Sequence, residues 1–300
     1  MLRVSNVKFV GAIVGVVVPA LLAFSIPNLL FRYFGLLGVT FDVVSVTEST
    51  LSPTWIYFLA AFCSFSYLVI LLSIVSNVTR FHYLGGLKTL ALVAIEVSVA
   101  FVVLYAVLSK SSSPMSGLNV VGQGVMEASL GGHTMVGTKL TLFQVFNWMH
   151  SIFTFTAAYV ATLCAVNFSI FALPYHGARD HDLAFFKKLY REHLYATVAV
   201  WCIGVAQLVA WLRLPVSSIA PEQATAFTRH VFSVSVFYSL NYTLVLLTCV
   251  AASAALRQRA RTAAEQDTTG TSVLDNKLFL IIAAPLITGF LANVLSAYFG

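Results

Sequence analysis

Seven apolar stretches, each about as long as the 20 or so residues a bilayer-crossing helix needs, dominate the chain. They occupy residues 9–31, 55–76, 89–108, 145–173, 195–213, 231–256 and 278–299. A hydrocarbon core of about 30 Å and a rise of about 1.5 Å per residue set that length. Composition agrees, with 59% hydrophobic and 9% charged residues and a mean hydropathy of +0.89. Soluble domains carry about 25% charge, so a soluble chain of this kind would have no surface to offer water. The expected fold is an all-α polytopic membrane protein, residues 1–300 forming a single bundle of seven transmembrane helices.

Lysine and arginine fix the expected threading. With the N-terminus inside, Arg3, Lys8, Arg80, Lys88, Arg179, Lys187, Lys188, Arg191, Arg257, Arg259, Arg261 and Lys277 fall on one side. Arg32, Lys110, Lys139, Arg213 and Arg229 fall on the other, twelve against five. The N-terminus is therefore expected in the cytoplasm and the C-terminus outside. Trp55, Trp148 and Trp211 then lie near the outer interface. The first run is too long for a signal-peptide core and no A-x-A site follows it, so it reads as a retained anchor. The net charge of +6 sits in clusters at the ends of apolar runs, without any nucleic-acid-binding pattern.

Residues 33–54 and 109–142 are expected as outer loops. The first contains the β-branched run "VTFDVVSVT" at 39–47, and the second has β-leaning runs around Gly131-Gly132. A Gly-Gly pair between such runs signals a hairpin, so a small extracellular β element is expected. Gly122 and Gly124 lack the following helix that a nucleotide loop requires.

On the inner side, residues 174–194 read as a loop and a short amphipathic helix. Pro174 ends the fourth span and Asp180 or Asp182 can cap the new helix. Lys187, Lys188 and Arg191 suit an anionic inner leaflet. His176, His181 and His193 in this stretch, with His82 from the neighbouring inner loop, are candidate metal ligands. His-x-x-x-x-His is weak spacing for zinc, and histidines at a wet interface are common without any metal. His150 and His230, at the outer ends of the fourth and sixth spans, would serve a bis-histidine haem if those helices faced each other. Neither set compels a cofactor, and none is expected. Cys63, Cys164, Cys202 and Cys249 all lie inside apolar runs and read as packing residues.

Inside the spans the informative residue is Glu96, since an ionisable group in the bilayer is costly and usually faces the bundle interior. Counting along the helices puts Gln207 and Asn241 in the same central slab. If the third, fifth and sixth helices enclosed a cavity, these three would line a ligand or ion pathway. The competing use of such groups is interhelical glue. Gly11 and Gly15 in the first run, and Gly289 in the last, mark small-residue seams for close packing, within the bundle or between copies of the chain. With no Ser-His or paired-carboxylate arrangement in the spans, a non-catalytic transporter, channel or small-ligand receptor is expected. A structural or accessory subunit of a membrane complex or envelope is the alternative, and an intramembrane lipid- or metal/haem-dependent enzyme ranks third.

Overall fold

The computed structural model is almost entirely helical. It describes residues 6–34, 41–42, 61, 64–75, 78, 86–108, 127, 132, 134, 137–171, 180–213, 216, 219–262 and 276–299. Among the described residues the long helices are α1 (Asn6–Phe34), α2 (Ser64–Val75), α3 (Gly86–Leu108), α4 (Leu142–Phe171), α5 (Asp180–Arg213), α6 (Pro221–Thr262) and α7 (Asn276–Phe299). Among the described residues, three stretches are long and apolar enough to cross a membrane: Asn6–Pro27, Lys188–Ala210 and Pro221–Leu256. Shorter apolar helical stretches are Ser64–Val75, Tyr159–Ser169 and Ile281–Val294.

Local sequence explains several boundaries. Thr141 and Gln144 form a capping box at the start of α4. The Gln144 backbone N–H donates to Thr141 Oγ1 at 3.2 Å, and the Thr141 N–H donates to Gln144 Oε1 at 3.0 Å. α6 opens with proline, whose missing N–H costs nothing in a first turn, followed by Glu222 in that same turn. It therefore begins ten residues before the apolar run at 231–256, and Arg229 and His230 lie within the helix. α5 runs unbroken from Asp180 to Arg213. The segment read as a separate surface helix up to residue 194 is, from Asp180 onward, the first part of α5. Leu189, His193 and Leu194 are buried there, while Lys188 is exposed and reaches Glu192 at 3.8 Å.

The core is built by α1, α4, α5, α6 and α7. α6 packs on α1, α4, α5 and α7, and α5 also packs on α4 and α7. α1 turns one stripe inward, Phe9, Ala12, Val16 and Ala20, at the three- and four-residue spacing of a helix face. Val7, Val10, Val14, Val18 and Leu21 face outward. α3 packs on α4, and its Leu92 meets Phe9, Ala12 and Val166.

The β element expected in residues 33–54 and 109–142 falls mostly outside the described residues. Among the described residues there is no strand, only an isolated antiparallel bridge between Thr134 and Thr141. The turn inside it carries Gly137 at φ +76°, a left-handed conformation that glycine adopts freely. Most of 33–54 and of 109–136, including the run at 43–47, lies outside the described residues.

Candidate functional site

Glu96, Gln207 and Asn241 do not converge. Glu96 is buried on α3, which packs on α4, and lies within electrostatic reach of Tyr159 there. Asn241 turns toward α1, its Nδ2 donating to the Phe24 carbonyl at 3.4 Å. Gln207 follows from the register of α5 and α6. Trp201 stacks on Tyr242 at 5.3 Å, and a Cβ on Gly289 would touch both Val205 and Ser239. These antiparallel pairs put Asn241 nearly level with Trp201. Gln207 lies six residues beyond Trp201, hence about 8 Å from Asn241 along the axis at about 1.5 Å per residue. It is also two residues past Val205, so about 200° away from the α6–α7 side at about 100° per residue. Depth along the bundle was shared only approximately, and azimuth was not shared.

Gln207 instead belongs to a polar arc along α5. His193, Thr197, Trp201 and Gln207 are all buried. They span about 21 Å along the helix and fall within an arc of about 120° at about 1.5 Å and 100° per residue. Three carry a polar atom with no hydrogen-bond partner among the described residues: Thr197 Oγ1, Trp201 Nε1 and Gln207 Oε1. A buried polar atom without a partner costs about 1–3 kcal/mol, so such groups call for an occupant such as water.

The fourth member, His193, is 1% exposed and locks three helices together. One ring nitrogen, Nε2, is 3.1 Å from the Leu72 carbonyl of α2. A carbonyl only accepts, so Nε2 carries the proton. The other nitrogen, Nδ1, then accepts from Asn167 Nδ2 of α4 at 3.5 Å, and that amide also reaches Ser73 Oγ at 3.5 Å. Both ring nitrogens serve the bundle, so His193 is not a metal ligand turned toward the loop. The other three metal candidates, His82, His176 and His181, have no described side chain. Among the described residues, no three histidine, cysteine, aspartate or glutamate side chains are grouped to hold a metal ion.

The haem candidates also sit apart in level. α4 and α6 are neighbours, and the Cys164 and Cys249 side chains meet between them. That pairing puts His150 level with residue 235, five residues or about 7 Å from His230. His230 is buried beside Phe41 and Phe227, with ring centroids at 6.1 and 6.3 Å. Asp42 pins this corner. Its N–H donates to Gln223 Oε1 and its Oδ2 accepts from Gln223 Nε2, both at 2.8 Å, while its carbonyl accepts from the Ala220 N–H at 3.0 Å.

The glycine seams resolve differently from one another. Gly289 lies against Ser239 of α6 and Val205 of α5, and one turn on Asn293 Nδ2 donates to Ser235 Oγ at 2.6 Å and to the Gly289 carbonyl at 2.7 Å. Gly15 abuts Leu256, whereas nothing described lies within 4 Å of a Cβ at Gly11.

No family model, curated protein or solved structure matches the chain.

Proposed function

We propose that the chain is a non-catalytic, multi-pass membrane protein that admits water or a small polar solute along the buried arc of α5, as a transporter or channel does. In this reading all seven apolar runs span the bilayer, with the N-terminus and the α4–α5 loop in the cytoplasm. Lys187, Lys188 and Arg191 then lie beside the anionic inner leaflet. α6 has 42 residues, so at about 1.5 Å per residue it extends well beyond a hydrocarbon core of about 30 Å at its ends.

The observation that carries the reading is the set of unpartnered polar atoms on Thr197, Trp201 and Gln207, all buried within about one third of the α5 circumference. Hydrocarbon offers them nothing, and a dry helix interface would favour apolar residues at these positions. Glu96, within electrostatic reach of Tyr159 on α4, lies at about the level of Trp201 but on the α3–α4 side.

Thiol accessibility tests it. In a background with Cys63, Cys164, Cys202 and Cys249 replaced by alanine, Thr197→Cys and Gln207→Cys should react with a small hydrophilic thiol reagent in reconstituted vesicles. Val205→Cys, in the dry α6–α7 seam, should not. Failure of both to react in folded protein would remove the pathway. The structural-subunit reading would then stand, favoured by the Asn293–Ser235–Gly289 seam, which has the form of interhelical glue.

A further inference from the structure

We infer that His193 is a reversible proton site whose two charge states are both accommodated by rotation of the Asn167 amide. The inference deepens the reading above by naming a proton as a species taken up at one end of the α5 arc. It rests on that reading for the route by which the proton arrives.

In the neutral state Nε2–H donates to the Leu72 carbonyl, and Nδ1 accepts from Asn167 Nδ2. Adding a proton from water to Nδ1 makes both nitrogens donors, and two donors would then face each other. An amide carries an acceptor on its other arm. Asn167 Oδ1 is buried and has no hydrogen-bond partner among the described residues. Turning the amide by 180° brings Oδ1 to the protonated Nδ1 and to Ser73 Oγ. The hydroxyl, which accepted from Nδ2, then donates to Oδ1. The Leu72 bond is unchanged. The turn leaves Nδ2 where Oδ1 stood, so each charge state keeps one arm of the amide without a partner among the described residues, and the change needs no helix to move.

From α2 the ring meets the Leu72 carbonyl and from α4 the Asn167 amide, neither of which titrates. Tyr190 is turned against Phe168 at 5.0 Å. On α5 itself, Glu192 is spent on Lys188 at the exposed side, and Arg191 is exposed. Glu96 meets α4 at Tyr159, eight residues or about 12 Å along from Asn167.

The test is ¹⁵N NMR of histidine-labelled full-length protein in lipid vesicles across the range in which histidine titrates, with the His193 signals assigned by their loss in His193→Gln. At high pH the signals should be those of the Nε2–H tautomer, and at low pH those of a ring protonated on both nitrogens, with helix content unchanged. Asn167→Leu supplies no acceptor and should lower the midpoint by about one unit or more. Asn167→Asp supplies a charged acceptor and should raise it by about one unit or more. If Asn167→Leu does not fold, the parent titration and the Asn167→Asp shift decide. A His193 that stays neutral throughout in folded protein, or midpoints that coincide in parent and folded variants, would overturn the inference. Thiol labelling that fails while His193 titrates removes the pathway but keeps the proton site. Labelling that succeeds while His193 does not titrate does the reverse.

Discussion

Replacing Gly289 with alanine should loosen the α6–α7 seam, and the size of the effect can be worked from its neighbours. The new Cβ would collide with Ser239 Oγ, stand 3.0 Å from Ser239 Cβ and 3.5 Å from Val205 Cγ1. The hydroxyl can rotate away, but only by giving up its bond to the Ser235 carbonyl at 2.6 Å, worth about 0.5–1 kcal/mol. Rotation does not relieve the Cβ–Cβ approach, which falls short of the 3.5–4.0 Å optimum. The helices must separate by about 0.5–1 Å, an overpacking cost of about 1–3 kcal/mol. That movement also stretches the Asn293–Ser235 bond. Alanine regains about 1 kcal/mol of helix propensity. The net expectation is a loss of about 0.5–3 kcal/mol, built from these terms. Reversible unfolding in mixed detergent micelles, followed by circular dichroism, measures it. Ser239→Ala in the Gly289→Ala background removes the hydroxyl but keeps the tight Cβ, so rescue should be partial. Ser239→Gly removes both, and rescue should be nearly complete. A Gly289→Ala protein as stable as the parent, or one that Ser239→Gly fails to rescue, would refute the packing argument.

The other glycines give contrasting expectations in the same assay. Gly11→Ala, with open space at the new Cβ, should be neutral or stabilising by up to about 1 kcal/mol. Gly15→Ala meets the flexible end of Leu256 at 3.1 Å and should change stability by less than about 1 kcal/mol. Thr141→Ala breaks the α4 capping box and should cost about 1 kcal/mol, while Thr141→Ser should retain most of it. Gln223→Leu removes both side-chain bonds to Asp42, so protease cleavage near residues 41–42 should accelerate several-fold relative to the parent.

The sequence located helices through hydropathy, and the errors show what hydropathy measures. It reports affinity for hydrocarbon, not the backbone state. The stretch "PEQATAFTRH" is too polar to register as a span, yet it is the first part of α6, and Pro221 with Glu222 carried the helix-start signal. The basic residues after Asp180 were legible as a helix, but its continuity with the next run was not, because residue composition does not say whether a helix turns. The Thr141–Gln144 cap was legible as T-x-x-Q before an apolar run. For the candidate site, counting residues gave depth but not azimuth. Glu96, Gln207 and Asn241 were chosen by depth, and which face each presents to which neighbour depends on packing order that a single sequence does not contain. His193 was read with the loop histidines because charge surrounds it. Its spacing of four from both Leu189 and Thr197 put it on the buried stripe, and that signal was available.

Glu96 then acquires a role that its depth alone did not suggest. α3 buries a narrow stripe, with Thr89, Leu92 and Glu96 inward and Leu87, Leu90, Val97, Phe101 and Tyr105 exposed. Its outward residues are as apolar as its inward ones, so in a bilayer hydrophobicity gives little reason to prefer one rotation of this helix over another. A carboxylic side chain does give one. On the proposed seven-span reading, rotating α3 by a single residue's angle of about 100° would carry Glu96 from α4 toward lipid. An ionised acid at a helix centre costs about 2.5–3.5 kcal/mol there by insertion measurements, more than the loss of any one apolar contact on the stripe. If α3 spans the bilayer as proposed, the group that is costly there would orient α3 against α4, whether or not it also faced the polar route along α5. An orienting role and a titrating role make separate demands on the side chain. Orientation needs only polarity and is kept by Glu96→Gln, whereas titration needs the acid itself.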